Sequence, residues 1–512
     1  MKVTMSPPLF LICLLVVALG SCPSRAATWY VDNEAKGGNR GTSWDDAWRS
    51  FAEIRWGRDG VSPGDTVFIS GGISSKTYPE QLAPNAGGTA DAPITIRPGD
   101  APGHGGEVII TATNRFGGIF LKSAANVCID GNVTGACHIV VRKCADGGVT
   151  LAGDTFGILL KHLEVDDNGD QKNRHGISIN VKEYKMPIVE ISRCRIHNNF
   201  QDQINATKPA GQAPGFGFIR VHDCEIYNLA DDGFQTGVGG VDFYNNRVYG
   251  RRTGGGPGHP DGIQFMGDRY RVYGNTFFNL AAPGLIANSF IFIDFFTLPE
   301  MGPRRMADVQ VFNNLVYEEG GGAKDLLRGI AVKIEDKSTT ALSGLLIANN
   351  TVIGMPGWAM TLAFGGLPPT ALDSLVIENN VFHDCARNPE CRTAILLGLN
   401  TDLFTVGSHG NAVNLVFDYN CVSPGRHGSS DVAMKRAIAD KGWAFRSGCQ
   451  ANGFMAEPAL DAQFRPLNRH SPLIDAGADL SRFFSADIEG TPRPQGKAWD
   501  VGAFEYKAAG NE

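Results

Sequence analysis

A short hexad recurs along the chain and constrains the fold more than any other feature. It reads apolar, x, x, Asn or Cys, x, apolar, as in "VHDCEI" at 221–226, "VFNNLV" at 311–316 and "IENNVF" at 377–382. Its fourth positions recur every 22 to 40 residues and are Asn132, Leu163, Cys194, Cys224, Asn246, Asn275, Asn314, Asn350, Asn380 and Asn420. Repeats of about 20–50 residues indicate stacked structural units, and the alternation within each copy indicates a strand.

These strand repeats predict an all-β solenoid, the parallel β-helix. Amphipathic helical runs are missing between the copies, which excludes helical and leucine-rich solenoids. Insertions in loops on one side explain the variable spacing, because they leave the stacked strands in register. We expect roughly ten coils, with a cap at each end because an open end would expose a strand edge.

The asparagines of the hexad predict a structural ladder at a sharp bend. Asparagine tolerates left-handed backbone angles and bonds to nearby backbone groups. One asparagine per coil would satisfy buried polar groups along the whole stack. Cys194 and Cys224 occupy successive positions of this ladder, where two small buried thiols are favoured over a disulfide.

The N-terminus predicts an exported protein. An apolar run from Leu9 to Leu19 follows Lys2, and it is too short to span a bilayer comfortably. One alternative is a signal peptide, residues 1–26, cleaved at small residues. The other is cleavage before Cys22, because "LGSC" resembles a bacterial lipobox with a lipid-anchored cysteine.

The charge of the chain limits the classes of binding partner, and its cysteine content bears on the cellular compartment. The formal net charge is −7 and no basic run occurs, so we expect no nucleic-acid partner. No later segment is apolar enough for a transmembrane helix, and we expect a monomer. An oxidising compartment would allow disulfides, and the candidate pairs are Cys385 with Cys391, Cys421 with Cys449, and Cys137 with Cys144.

Three segments resemble those of a known superfamily. "TWYVDNEAKGGNRGTSWDDAWRSFAEI" at 28–54, "YPEQLAPNAGGTADAPITIRPGD" at 78–100 and "SPLIDAGAD" at 471–479 are similar to segments of secreted bacterial β-helix proteins of the pectate-lyase-like superfamily. The resemblance implies a right-handed parallel β-helix. It places the helix and its N-terminal cap at 27–425 and a C-terminal capping segment at 426–512. It leaves the reaction open, because the superfamily hosts lyases, hydrolases, epimerases and binders.

A second repeated element brings acids together in consecutive coils. It reads "RHGISI" at 174–179, "QDQINA" at 201–206, "DDGFQT" at 231–236 and "PDGIQF" at 260–265. Alignment of the apolar residues Ile177, Ile204, Phe234 and Ile263 gives one column of His175, Asp202, Asp232 and Asp261, and a second of Ser178, Asn205, Gln235 and Gln264. The corresponding elements of the next coils, at 283–288 and 328–333, lack the acids.

The columns predict a site on the outer surface of the solenoid. Residues that alternate with the apolar ones face away from the core, so we expect an exposed ledge of acids and amides suited to a polysaccharide. Asp232 and Asp261 are the candidate catalytic acids, with His259 and Arg251 beside them. Ser178, Asn205, Gln235, Gln264 and His175 are the candidate substrate-binding residues, and Asp202, Asp231 and Asp232 are candidate calcium ligands.

Three functions fit this ledge. We favour a polysaccharide lyase, which removes the proton beside a uronate carboxylate, with calcium or arginine stabilising the developing charge. A glycoside hydrolase would use two of the acids directly. A carbohydrate-binding protein would only hydrogen-bond the sugar. The Asn-Thr-Asp motif of pectin hydrolases is absent from the acid-bearing coils, because that tripeptide occurs at 400–402. The only Gly-His-Gly, at 103–105, also lies away from the acids.

Overall fold

The computed structural model describes most of the chain between residues 26 and 507. The described residues are 26–113, 116–169, 174–185, 187–208, 213–252, 260–281, 289–295, 304–320, 326–334, 339–363, 371–388, 391, 395–398, 415–423 and 452–507. The predicted signal segment apart from Ala26, including Cys22, lies outside them, as do His259 and Cys449.

Three parallel sheets form the body of the protein. Each coil between Ile94 and Gly398 contributes a strand to each of them in turn, whereas the described strands of the first and last coils belong to sheets 1 and 2. Sheet 1 contains Thr28–Val31, Thr66–Ile69, Ile94–Pro98, Val127–Asp130, Ile158–Lys161, Val189–Ser192, Ile219–His222, Val241–Tyr244, Tyr270–Tyr273, Arg304–Phe312, Thr339–Ala348, Leu372–Asp373, Leu375–Glu378 and Leu415–Asp418. Sheet 2 contains Ser75–Tyr78, Glu107–Ile110, Ile139–Arg142, Leu163–Asp166, Arg195–His197, Glu225–Leu229, Arg247–Arg251, Thr276–Phe278, Leu315–Tyr317, Thr351–Ile353, Val381–His383, Cys421–Val422 and Phe454–Met455. Sheet 3 contains Ile119–Lys122, Val149–Gly153, Ile177–Val181, Ile204–Lys208, Phe234–Thr236, Ile263–Phe265, Ser289–Asp294, Arg328–Lys333, Met360–Ala363 and Ile395–Gly398.

The fold is a right-handed parallel β-helix, as the repeats and the resemblance predicted. Outside the three sheets, the described elements are a short antiparallel hairpin, Asn132–Val133 with Ala136–Cys137, and a 3₁₀ turn, Phe51–Glu53. Inward residues of all three sheets form one continuous apolar core, in which Ile177, for example, is completely buried. A strand buried on its inner face against two other sheets explains the β-branched composition of the repeats.

The predicted asparagine ladder lies at the bend between sheets 1 and 2. Asn314 shows the pattern. Its side-chain nitrogen donates to the Val272 carbonyl at 2.8 Å and to Asn350 Oδ1 at 2.9 Å, and its own oxygen accepts from the backbone N–H and side chain of Asn275. The continuous ladder comprises Asn246, Asn275, Asn314, Asn350, Asn380 and Asn420.

Cysteine and leucine occupy the N-terminal end of the same column. The backbone N–H of Leu163 donates to Cys194 Sγ at 3.5 Å, that of Cys194 to Cys224 Sγ at 3.4 Å, and that of Cys224 to Asn246 Oδ1 at 3.0 Å. Both cysteines are buried free thiols, as predicted. Asn132 departs from the prediction, because it opens the hairpin and accepts from the Gly135 N–H at 2.8 Å instead.

The predicted disulfides are wrong where both partners can be judged. Cys137 and Cys144 are free thiols, and so is Cys385, which excludes its bond to Cys391. The Sγ of Cys385 instead donates to the carbonyl of His383 at 3.2 Å. Cys421 is also a free thiol, and its proposed partner Cys449 lies outside the described residues. Buried cysteines here act as small apolar residues of the stack.

The C-terminal segment lies along the flank of the later coils. Phe454–Met455 pairs with the sheet 2 strand Cys421–Val422, and the chain then covers the bend that carries the ladder. The residues that precede ladder asparagines bind the C-terminal segment. Asn313 donates to the Ala486 carbonyl at 2.7 Å, and Asn349 donates to the Gly502 carbonyl at 2.9 Å. Both have positive φ, 51° and 50°, so one Asn of each "NN" pair faces the core and the other faces outward.

Among the described residues, no helix is both long enough and apolar enough to cross a membrane.

Removal of one ladder side chain should destabilise the fold. We expect Asn314→Ala to lower the free energy of unfolding by about 3 kcal/mol, because it leaves buried groups of Asn275 and Val272 without partners. Denaturant unfolding measures this. Asn33→Ala is the control, because Asn33 is exposed and makes a single bond, to the Thr77 carbonyl. Equal stabilities of the two variants would contradict a supporting role for the ladder.

Candidate functional site

The register of sheet 3 places the acids in one column. Ile177 pairs with Ile204, Ile204 with Phe234, and Phe234 with Ile263, which is the alignment used to predict the column. The residues two positions earlier therefore stack as well. The backbone confirms this, because the Gly233 N–H donates to the Asp261 carbonyl at 3.0 Å. Asp202, Asp232 and Asp261 are hereafter the acid column.

Glycine follows two of these acids because adjacent coils approach closely there. A Cβ atom on Gly233 would lie 2.3 Å from the Gly262 carbonyl oxygen, and one on Gly262 would lie 2.4 Å from the Phe290 carbonyl oxygen. No side chain fits at these distances. Close approach of the coils therefore explains the glycine after Asp232 and Asp261, whereas Asp202 is followed by Gln203.

The acids form a hydrogen-bonded ladder with the backbone of the next coil. Asp202 Oδ1 accepts the Asp232 N–H at 3.2 Å, and Asp232 Oδ1 accepts the Asp261 N–H at 2.8 Å. Asp261 Oδ1 accepts the Ser289 N–H at 2.6 Å. One oxygen of each acid therefore orients the side chain, and the second oxygen of each is left for other partners.

The predicted amide column lies beside the acid column. Asn205 donates to Asp202 Oδ2 at 2.7 Å, and Gln235 donates to Asp232 Oδ2 at 3.0 Å and to Gln264 Oε1 at 2.8 Å. Amide and acid side chains thus meet on the outer face of sheet 3. Ser178 pairs in register with Asn205 and continues this column by one coil.

His175 begins the acid column on the N-terminal side. Its Nδ1 lies 3.1 Å from Asp202 Oδ2, although the orientation is not that of a hydrogen bond. The imidazole is about one-sixth exposed. The structure therefore brings it to the acids, as the sequence predicted.

The acid column is buried, which corrects the expectation of an exposed ledge. Asp202 is 2% exposed, and Asp232 and Asp261 are completely buried. Adjacent coils lie about 4.8 Å apart, so two neighbouring carboxylates repel by about 3–4 kcal/mol at an effective dielectric constant of about 20. Exposure would have made this cost negligible. Burial requires a proton, a cation or an arginine to offset it.

Burial and neighbouring acids raise two pKa values in the column. Burial raises the pKa of Asp232 well above its ordinary value, and the charges of Asp261, Asp202 and Asp231 add to the effect. Burial likewise raises the pKa of Asp261 well above its ordinary value. Carboxyls with raised pKa values hold their protons to a higher pH than ordinary aspartates, which favours a role as proton donors.

Three acids are close enough to share one cation. Carboxylate oxygens of Asp202, Asp231 and Asp232 all lie within 4.8 Å of one another. These are the residues that the sequence suggested as calcium ligands. Carboxylate and amide oxygens are the ligands that calcium prefers, and the oxygens of this cluster fit such an ion.

Arg251 reaches the same region at the end of a sheet 2 strand. It is partly exposed, and its Nη1 is buried without a hydrogen-bond partner among the described residues. Burial lowers the pKa of its guanidinium, and the charge of Asp231 acts in the opposite sense. Arg252 is engaged elsewhere, because it donates to the Asn198 carbonyl and lies 3.3 Å from Asp167.

The alignment missed the coil that follows Asp261. It assigned residues 283–288 to that coil, whereas Ile263 pairs with Ile291 in the strand Ser289–Asp294. The position after Asp261 in the acid column is therefore Ser289. The false match at 283–288 breaks the spacing of the coils, whereas Ile291 follows Ile263 by 28 residues and continues that spacing. The regular spacing and the "SFIFID" alternation at 289–294 are the signals that could have found this coil.

Comparisons with known proteins concern the fold alone. No family model and no curated protein matches the sequence. Among solved structures, the chain is similar to pectate lyase Pel9A, with 14% identity, a TM-score of 0.44 and coverage of 94% of this chain and 97% of that one. A rhamnogalacturonan lyase has 15% identity, a TM-score of 0.40 and coverage of 70% and 82%. The GH136 lacto-N-biosidase from Eubacterium ramulus has 13% identity, a TM-score of 0.40 and coverage of 72% and 65%.

The raised pKa of Asp232 predicts an unusual dependence of stability on pH. An unfolded aspartate has a pKa of about 3.9, so the folded state binds the extra proton. With a chelator present, stability should be greatest near pH 4 and fall as the pH rises through the raised pKa. Asp232→Asn should remove part of this fall and be more stable than the parent at pH 7, by about 1 kcal/mol or more.

Thermal unfolding between pH 4 and pH 8 checks this expectation. Asp91→Asn is the matched control, because Asp91 is exposed, and its curve should parallel that of the parent. Calcium should stabilise the parent at neutral pH more than Asp232→Asn. A parent protein that becomes more stable as the pH rises without calcium would contradict the predicted charge state.

Proposed function

We propose that this protein is a polysaccharide lyase that cleaves uronate-containing chains by β-elimination. The observation that carries the proposal is the cluster of buried carboxylates on the outer face of sheet 3, lined by amides. Buried acids that repel one another need a compensating cation. A cation beside hydrogen-bonding amides provides a binding site for an acidic sugar.

Calcium is the cation that the ligand set favours. Asp202, Asp231 and Asp232 would supply its protein ligands, and hard oxygen ligands of this kind suit calcium. When bound, calcium would withdraw electrons from the uronate carboxylate and so acidify the adjacent C–H bond.

The chain's own residues would move the protons. Arg251, whose pKa burial lowers, would take the proton from the carbon beside the uronate carboxylate. The C–H electrons then form the carbon–carbon double bond, and the glycosidic C–O bond breaks. Asp261, whose pKa burial raises, would donate a proton to the leaving oxygen. Its Oδ2 has no hydrogen-bond partner among the described residues. Asn205, Gln235 and Gln264 would orient the sugar hydroxyls.

A glycoside hydrolase is the second candidate. Asp232 and Asp261 lie in adjacent coils, about 4.8 Å apart along the stack. This is close to the separation of about 5 Å between the carboxyls of retaining glycosidases. The raised pKa of Asp261 would suit the general acid of that reaction as well. A non-catalytic carbohydrate-binding protein would use the same amides without either reaction.

Export is part of the proposal. Residues 1–26 have the composition of a signal segment, and a polysaccharide substrate is met outside the cytoplasm. Cleavage before Cys22 would give a lipid-anchored protein, and cleavage after Ala26 would give a free one. Mass spectrometry of the mature N-terminus distinguishes the two forms.

An assay with acidic and neutral polysaccharides tests the reaction. The lyase should produce the ultraviolet absorbance of an unsaturated uronate product with acidic substrates, and chelation should abolish it. Asp261→Asn should lower the rate by at least about 100-fold with little change in melting temperature, whereas Asp91→Asn should not alter it. Reducing ends without absorbance would favour the hydrolase, and binding with neither signal would exclude both enzymes.

Calcium binding can be measured without a substrate. We expect titration calorimetry to show one calcium ion per chain, and Asp231→Asn to weaken its binding by at least about tenfold, because a ligand oxygen and a charge are lost. Asp91→Asn should bind calcium like the parent. A parent protein that binds no calcium would leave the acid column without its proposed cation and refute the calcium-dependent lyase.

A further inference from the structure

The acid column continues into two coils with different chemistry. Ser289 pairs in register with Arg328, and the Gly329 N–H donates to the Trp358 carbonyl at 2.9 Å. This bond repeats the one between Gly233 and Asp261, so Arg328 and Trp358 occupy the next two positions after Ser289. Along the stack, the column therefore changes from acids to a hydroxyl, a guanidinium and an indole.

The guanidinium of Arg328 has a hydrogen-bond donor without a partner among the described residues. Its guanidinium carbon lies over the Trp358 ring, 5.9 Å from the ring centroid, at the outer limit of a cation–π contact. Its Nε is buried without a hydrogen-bond partner among the described residues. A planar guanidinium with free donors is the side chain best matched to a carboxylate. The charge of Arg328 also acts on Asp261, opposing the rise in its pKa, so the two groups belong to one electrostatic site.

Two further polar atoms of the column lack partners. Asp261 Oδ2 and Ser289 Oγ belong to completely buried residues, and within the described parts of the chain neither has a hydrogen-bond partner. Buried polar groups nearly always have one. They lie in the column between Asp232 and Arg328, so unpaired polar atoms adjoin the guanidinium.

Trp358 ends this series with an aromatic surface. The residue is partly exposed, and indole rings combine a large apolar face with a polar edge. The apolar face of a pyranose packs on such a ring. Arginine and tryptophan in adjacent coils could thus bind one acidic sugar through two of its features. The arginine matches its carboxylate, and the tryptophan matches its ring face.

We propose that Arg328 and Trp358 form a subsite for a uronate residue of the polysaccharide, so that the chain lies along the column from Asp202 towards Trp358. The inference rests on the proposed function for its substrate class, and it adds the residues that recognise the acidic sugar away from the cation. Arg328 would pair with the carboxylate, and Trp358 would pack on the sugar ring; both residues are partly exposed.

Binding of paired ligands tests the subsite separately from the reaction. The probes are short oligouronates of galacturonic, mannuronic and glucuronic acid, and the carboxyl-reduced counterpart of the tightest binder. Affinities are measured by calorimetry with calcium present, in the Asp261→Asn background so that turnover does not consume the ligand. Arg328→Gln should weaken oligouronate binding by about 10- to 100-fold and carboxyl-reduced ligand binding by less than about threefold. Trp358→Ala should weaken both by about tenfold.

Control variants keep the outcome interpretable. Arg247→Gln removes an arginine that also lies over an aromatic ring, Phe278 at 5.2 Å, but on the outer face of sheet 2, and it should change neither affinity. Arg328→Lys retains the charge without the planar fork and should give an intermediate loss, which serves if Arg328→Gln fails to fold. Circular dichroism verifies that each variant is folded.

The two proposals fail in different ways. An oligouronate affinity that Arg328→Gln leaves unchanged, or an equal loss for both ligands, overturns the subsite even when the parent enzyme is an active lyase. A background protein that binds no oligouronate also overturns it. The expected binding pattern without any elimination product supports the subsite and refutes the proposed reaction.

Discussion

Backbone hydrogen bonding between successive coils is the interaction on which the rest of the structure depends. Each strand pairs in parallel with the same strand of the next coil, so a residue type at one position stacks on its equivalent about 4.8 Å away. Such stacking favours side chains that can hydrogen-bond to their equivalents in the next coil. Asn314 between Asn275 and Asn350 shows this best, because one amide both donates and accepts along the axis. The "NN" pairs also let the same bend bind the C-terminal segment.

The same stacking makes the acid column costly. Asp202, Asp232 and Asp261 satisfy the backbone of the next coil, as a neutral ladder would, but they place like charges one coil apart in a buried position. A neutral asparagine would make the same backbone bond without the repulsion. The acids therefore have a consequence that a purely structural ladder lacks, because burial and the charges of neighbouring acids raise the pKa values of Asp232 and Asp261. Beyond them, Ser289, Arg328 and Trp358 take the place of the acids, so the column of like charges ends there.

Much of this site could be predicted because register follows from local patterns. Alignment of Ile204, Phe234 and Ile263 gave the observed pairing, since each apolar residue must face the core. The prediction failed at the next coil, where residues 283–288 offered a false match, although the 28 residues from Ile263 to Ile291 continue the spacing of the preceding coils. It also failed for the cysteines, because proximity in sequence at Cys137 and Cys144 does not fix the direction in which side chains point.

The sequence by itself determined the solenoid, the asparagine ladder and the stacking of the acids, because all three follow from repeated residues whose faces are set by strand alternation. Only the tertiary structure decided that the acids are buried and that Ser289, Arg328 and Trp358 extend their column. Whether a residue of the column is buried depends on what the intervening loops cover. Which residues of separate coils stack on one another depends on the length of each loop. The period of the repeat determines neither the cover nor the loop lengths.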